Sequence, residues 1–151
     1  MVAREGTERS GVARLVDLLR RYPLAVRGVF VFSLFMTFVY MPYDVFVKLF
    51  TQSIEQAEEV WFGLMLRGWA AKLTEPLHWL IYASLGYGFF RERRWAWPFA
   101  ALYTLQVAVG MVVWSMLYTS HGTPKAVGVM GGLLFAALAA AVWRARPAAR
   151  V

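Results

Sequence analysis

Four stretches of the chain are apolar over lengths that suit a bilayer, and they are separated by short segments dense in charge. Residues 24 to 46 read LAVRGVFVFSLFMTFVYMPYDVF, interrupted only by Arg27, Ser33, Thr37 and Asp44. At 1.5 Å per residue such a helix reaches roughly 34 Å, enough for a hydrocarbon core of about 30 Å. Comparable runs occupy residues 68 to 90, 97 to 118 and 126 to 143. Pro42 and Pro76 fall inside two of them, where a missing backbone donor loosens or kinks a helix, and Pro98 opens the third, where that donor would be unpaired anyway. Starting the second run at Pro76 would leave only about 22 Å, so the pattern predicts a kinked span from 68.

The segment between the first two spans differs in kind. TQSIEQAEE is polar and acidic, and VWFGLML after it is too short to cross. Ser53 and Gln56 have capping-box spacing, and Ala57, Val60, Trp61, Leu64 and Met65 recur at helical intervals, so an amphipathic helix lying at the interface is expected here. The expected fold is therefore all-α: a polytopic membrane protein with a four-transmembrane-helix bundle over 24 to 143. Residues 1 to 23 precede it as a cytoplasmic segment, in which Val12 to Leu19 is the one run able to form an interfacial helix, and 144 to 151 follow as a basic tail.

Composition agrees with this pattern. Of 151 residues 60% are hydrophobic and 17% aromatic, beyond the apolar share of an ordinary soluble domain. With no cysteine, disulfides, thiolate metal sites and covalent haem attachment are excluded. The first apolar run is too long for the core of a cleaved secretory signal. A formal charge of +7 raises the question of nucleic acid, but no nucleic-acid-binding motif is present and the arginines flank apolar spans. Of the 16 Lys and Arg residues, one side of the predicted topology holds only Lys48, Arg67, Lys72 and Lys125. The positive-inside rule then puts both termini in the cytoplasm, with anionic lipid headgroups as the natural partner of that face.

Within this topology a set of polar and aromatic residues shares the outer half of the bundle. Glu75, His78, Tyr82, Leu85 and Phe89 follow helical spacing on one face of the second span. An ionisable group in a span costs on the order of 2.5 to 3.5 kcal/mol and normally faces protein or water. Asp44, Tyr40 and Tyr43 close the first span, Trp114 and Tyr118 close the third, and Gln106 lies nearer the midplane. Together with Tyr82 they would line an apolar pocket with a few convergent polar atoms, the usual character of a small-molecule site. Glu75 and His78 are the candidate acid and base, His121 lies in the following link, and Asp44 with Lys48 also has ordinary i, i+4 pairing distance. Glu75-Pro76-Leu77-His78 has Glu-x-x-His spacing, but a carboxylate-bridged di-iron bundle needs a second such motif and two more glutamates. No metal and no cofactor are expected. Gly128 and Gly132, with Ala136 and Ala140 in the same row, form a small-residue ridge suited to close helix packing, within the chain, in a homo-oligomer or against a membrane partner.

The order of these features resembles the emopamil-binding (EXPERA) family of sterol isomerases and sterol-binding membrane proteins: an aspartate closing the first span in MPYDVF, a glutamate early in the second in KLTEPLHW, a basic turn in RRWAWP, and a tyrosine-containing third span in ALYTLQ. The resemblance implies that membrane-embedded carboxylates, here Asp44 and Glu75, bind cationic amphiphiles or protonate a sterol double bond. The chain departs from the family in having Gln106 where histidine or another polar residue is frequent, and in lacking a second intramembrane glutamate. Three functions follow as expectations. The first is binding of an apolar or amphiphilic small molecule in the outer-half pocket. The second is an isomerase-like enzyme with Glu75 as proton donor, and the third a noncatalytic subunit that packs against partner helices.

Overall fold

The structure, a computed structural model, describes residues 11–118 and 124–147. His121 lies outside the described residues, as does most of the link between the third and fourth predicted spans. Helix α1 (Gly11–Arg21) precedes α2 (Leu24–Phe35), which runs on through two widened, π-helical stretches, Met36–Tyr40 and Tyr43–Val47, into the short α3 (Lys48–Thr51). A two-stranded hairpin, β1 (Glu58–Trp61) and β2 (Leu64–Arg67), leads to α4 (Trp69–Phe90), α5 (Ala96–Leu117) and α6 (Lys125–Arg144).

Three helical segments are long and apolar enough to cross a membrane: Leu24–Val47, Ala96–Leu117 and Lys125–Arg144. They match three of the four predicted spans to within a residue at each end, and a multi-pass membrane protein follows from them. Helix α4 has the length, 22 residues, but its first turns carry Lys72 and Glu75 and it is less apolar. It runs as one helix through Pro76.

The widened turns explain how the first long helix tolerates Pro42. The Met41 amide donates to the Met36 carbonyl and the Lys48 amide to Tyr43, five residues back rather than four. Such π turns absorb an interruption of the regular ladder without ending the helix. Ser33 and Thr37 also hydrogen-bond back to the carbonyls of Val29 and Ser33, at 2.8 and 2.7 Å, a habit that bends helices slightly.

The expected interfacial helix is replaced by the hairpin. Glu58 pairs with Arg67 and Trp61 with Leu64, which leaves Phe62 and Gly63 as a two-residue turn. Both have positive φ, +51° and +82°, as a type I′ turn requires. The Ser53 side chain makes no capping bond, and only a short 3-10 turn, Ile54–Gln56, forms beside it.

A hydrophobic core gathers at the end of the bundle opposite the hairpin. Leu18 of α1, Val26 and Phe30 of α2, Leu85 and Phe89 of α4, and Trp97 of α5 are buried together. Tyr22 sits at their centre, edge-on to Trp97 at 5.8 Å, and donates to the Phe89 carbonyl at 2.7 Å. Residues 11–21, expected as part of an N-terminal segment, are thus a helix anchored to the bundle through Leu18 and Tyr22. Helices α5 and α6 pack closely because Gly128 and Gly132 receive Ser115, Val112 and the Ala108 backbone. Gly128 and Gly132 are thus buried against α5, whereas Ala136 in the same row is half-buried and Ala140 exposed.

Burial, followed by the nearby Glu92 carboxylate, pushes the Tyr22 phenol up to about 12. A folded value above the unfolded one of about 10 means that the neutral phenol stabilises the fold fully below pH 10. That contribution is lost as pH rises from 10 through 12. Tyr22→Phe is expected to cost about 1 kcal/mol near neutrality, through the lost hydrogen bond, and to flatten the fall in stability between pH 10 and 12. Thermal unfolding midpoints across that range check both.

Candidate functional site

At the hairpin end of the bundle the charged residues of three elements meet. Asp44, in the second widened stretch, is 2% exposed and pairs with Lys48 one turn on. Glu75 of α4 is 5% exposed and accepts from the Lys72 ammonium at 2.9 and 3.2 Å through its two oxygens. From the hairpin comes Glu59, whose Oε1 lies 2.8 Å from His78 Nδ1. The three carboxylates offer oxygens within 4.8 Å of one another. At that separation two like charges repel by about 3.5 kcal/mol at an effective dielectric of 20. The arrangement therefore needs positive charge, and the chain supplies it from Lys48 and Lys72.

The hairpin is held over this cluster by more than charge. Trp61 stacks on His78 with ring centroids 4.0 Å apart and planes 4° from parallel. The Met65 amide donates to the Tyr118 hydroxyl at 3.2 Å, and Tyr118 packs on Trp114 with centroids 4.4 Å apart. At its tip Gly63 lies against the α5 backbone at Gly110. Helix α4 is tied to the first long helix by Trp79, whose indole donates to the Thr37 carbonyl at 2.9 Å.

Beneath the hairpin tip, between α4, α5 and the start of α6, lies a cleft of about 380 Å³. Its apolar walls come from Val60, Phe62, Val107, Met111, Trp114 and Val127, and its polar groups are His78, Tyr82, Tyr103 and Gln106. The Tyr103 hydroxyl donates to that of Tyr82 at 3.4 Å. Volume and lining suit a small, largely apolar molecule with one or two hydrogen-bonding groups.

Of the residues singled out from the sequence, the cleft gathers His78, Tyr82, Gln106 and Trp114. Asp44 and Glu75 are buried in the adjoining ionic cluster and do not line it, and Tyr118 supports the hairpin. Tyr40 and Tyr43 turn away, 42% and 55% exposed. Glu75 and His78 do not pair with each other; each takes a different partner. Glu59, Trp61 and Tyr103 went unrecognised as parts of the site, as did the role of Lys72. The Lys72 pairing was legible in its i, i+3 spacing to Glu75, whereas Glu59 and Trp61 reach the site only through the hairpin. No protein-family model matches the chain, and neither the curated proteins nor the solved structures include a match to it.

Proposed function

We propose that this protein binds an apolar or amphiphilic small molecule in the cleft beneath the hairpin. The observation that carries the reading is the cleft itself, apolar except for four hydrogen-bonding side chains contributed by two facing helices. In this reading α4 is a fourth span, its charged first turns tolerated because Lys72 and Glu75 neutralise each other inside protein. Both termini lie in the cytoplasm, and the cleft sits in the outer half of the bilayer. The EXPERA resemblance adds sterols and cationic amphiphiles to the ligand classes worth testing, beside isoprenoid alcohols and quinones.

Binding is favoured over isomerase chemistry by the position of Glu75. Both its oxygens accept from Lys72 and it stands outside the cleft wall, so it has no direct path for handing a proton to a bound molecule. His78, Tyr82 and Tyr103 are the titratable side chains that line the cleft among the described residues.

A thermal-shift screen of the purified protein against those four ligand classes tests the proposal, since a ligand that binds only the folded state raises its apparent stability. At least one class is expected to stabilise the protein. Gln106→Leu should then weaken that ligand about tenfold, the equivalent of one hydrogen bond of about 1.4 kcal/mol. A panel without any stabilising member, or full affinity retained in Gln106→Leu, removes the reading.

A further inference from the structure

We infer a second binding site, for an anionic phospholipid, at the opposite end of the molecule and independent of the cleft. A groove of about 560 Å³ runs between α1, the first long helix and α4. Its walls are almost wholly apolar: Val12 and Leu15 from α1, Leu34 and Phe38 from the first long helix, Gly86 and Phe90 from α4. Gly86 keeps the floor low, since a Cβ there would lie 3.3 Å from the Leu34 side chain. Between Ala83 and Phe90 the groove follows α4 for about 10 Å, enough to seat a segment of an acyl chain.

What distinguishes this groove from any lipid-facing furrow is the charge at one rim. Arg14 lies over the Phe90 ring with its guanidinium carbon 5.3 Å from the centroid, and Arg91 lies 6.0 Å from that of Tyr87. Both rings belong to the groove wall. Arg93 also reaches the Tyr87 hydroxyl electrostatically. The acid nearby, Glu92, is engaged by Arg21 at 3.5 Å and Arg14 at 3.9 Å. Among the described residues no carboxylate lies within ion-pair distance of Arg91 or Arg93. Two guanidiniums with no acid in ion-pair distance among the described residues stand where an apolar channel meets the polar end of the bundle. Guanidinium donors suit phosphate oxygens, and cationic rims attract anionic headgroups. A neutral apolar molecule would use the groove and leave the arginines idle; a free phosphate would do the reverse. A phospholipid with a net negative headgroup uses both.

The test compares dioleoyl phosphatidylglycerol, dioleoyl phosphatidylcholine and glycerol phosphate, each added to the detergent-solubilised protein. Phosphatidylglycerol is expected to raise the unfolding midpoint by several degrees more than phosphatidylcholine, and glycerol phosphate to leave it unchanged. The exposed pair Arg91→Gln/Arg93→Gln should erase the difference between the two lipids. Ala83→Phe, which fills the groove and leaves the arginines in place, should weaken phosphatidylglycerol binding about tenfold. Native mass spectrometry of bound lipid gives a second reading should either variant be poorly folded in the thermal assay. Equal stabilisation by the two lipids overturns the proposal, as does stabilisation by glycerol phosphate alone. So does a preference that survives Arg91→Gln/Arg93→Gln, or phosphatidylglycerol binding unchanged by Ala83→Phe, since the first would assign it to general surface charge or the apolar furrow and the second to the arginines without the groove.

Discussion

Lys72→Met is expected to lower the stability of the solubilised protein by about 3–5 kcal/mol, the cost of leaving a buried charge without its partner. For a chain of this size that corresponds to a fall of roughly 6–20 °C in the unfolding midpoint. The reason is local and specific. Lys72 and Glu75 have side chains only 7% and 6% exposed, and Glu75 lies within 4.8 Å of two further carboxylates. Removing the ammonium leaves three acids in one place with only the Lys48 ammonium to balance them. A surface pair of the same spacing would be worth no more than about 1 kcal/mol, so the size of the effect reports on burial. The double change Lys72→Met/Glu75→Met should recover most of the loss, because an apolar pair of similar volume replaces both charges and one source of repulsion disappears. A single variant within about 0.5 kcal/mol of the parent would mean that water reaches the cluster.

The same cluster marks the limit of what periodicity can read. Spans are written in hydropathy, so the ends of three of the four were legible to within a residue, and the Asp44–Lys48 and Lys72–Glu75 pairs follow from helical spacing alone. Asp44 is buried in the ionic cluster, whereas Tyr40 and Tyr43 are 42% and 55% exposed. Residues i and i+4 share a face only while the helix keeps its normal pitch, and the widened turns on either side of Pro42 break that relation. Asp44 therefore faces inward while the two tyrosines face out. In the stretch 57 to 67 the apolar positions fit a helix and a hairpin alike. The stronger local signal was Gly63, preceded by Val60, Trp61 and Phe62, which are good strand formers. What the sequence could not contain was the seat of that glycine on α5, a tertiary contact between positions 63 and 110.

Gly63→Ala tests that seat, and its expected effect is large for two reasons that act together. The backbone at Gly63 has φ +82°, where a side chain is strained by about 1–2 kcal/mol. A Cβ there would also come within 2.5 Å of the Gly110 carbonyl oxygen and 2.9 Å of the Trp114 amide nitrogen. Both are backbone atoms of a helix and neither can swing aside, so the hairpin tip has to lift. Overpacking of this kind typically adds 1–3 kcal/mol, for a total of roughly 2–5 kcal/mol. Lifting the tip also withdraws Val60 and Phe62 from the cleft wall, so affinity for any ligand found by the screen should fall at least tenfold. Gly110→Ala supplies the contrast. Its Cβ would stand 3.2 Å from the Gly63 nitrogen, a milder approach, and alanine in a helix interior recovers up to about 1 kcal/mol over glycine. That variant should stay within about 1 kcal/mol of the parent. Amide hydrogen exchange in residues 58–67 distinguishes the two directly: protection is lost in Gly63→Ala and kept in Gly110→Ala. Equal protection in both would show that the hairpin is held by the Glu59–His78 contact, the Trp61 stack and the Met65–Tyr118 bond, without the Gly63 seat on α5.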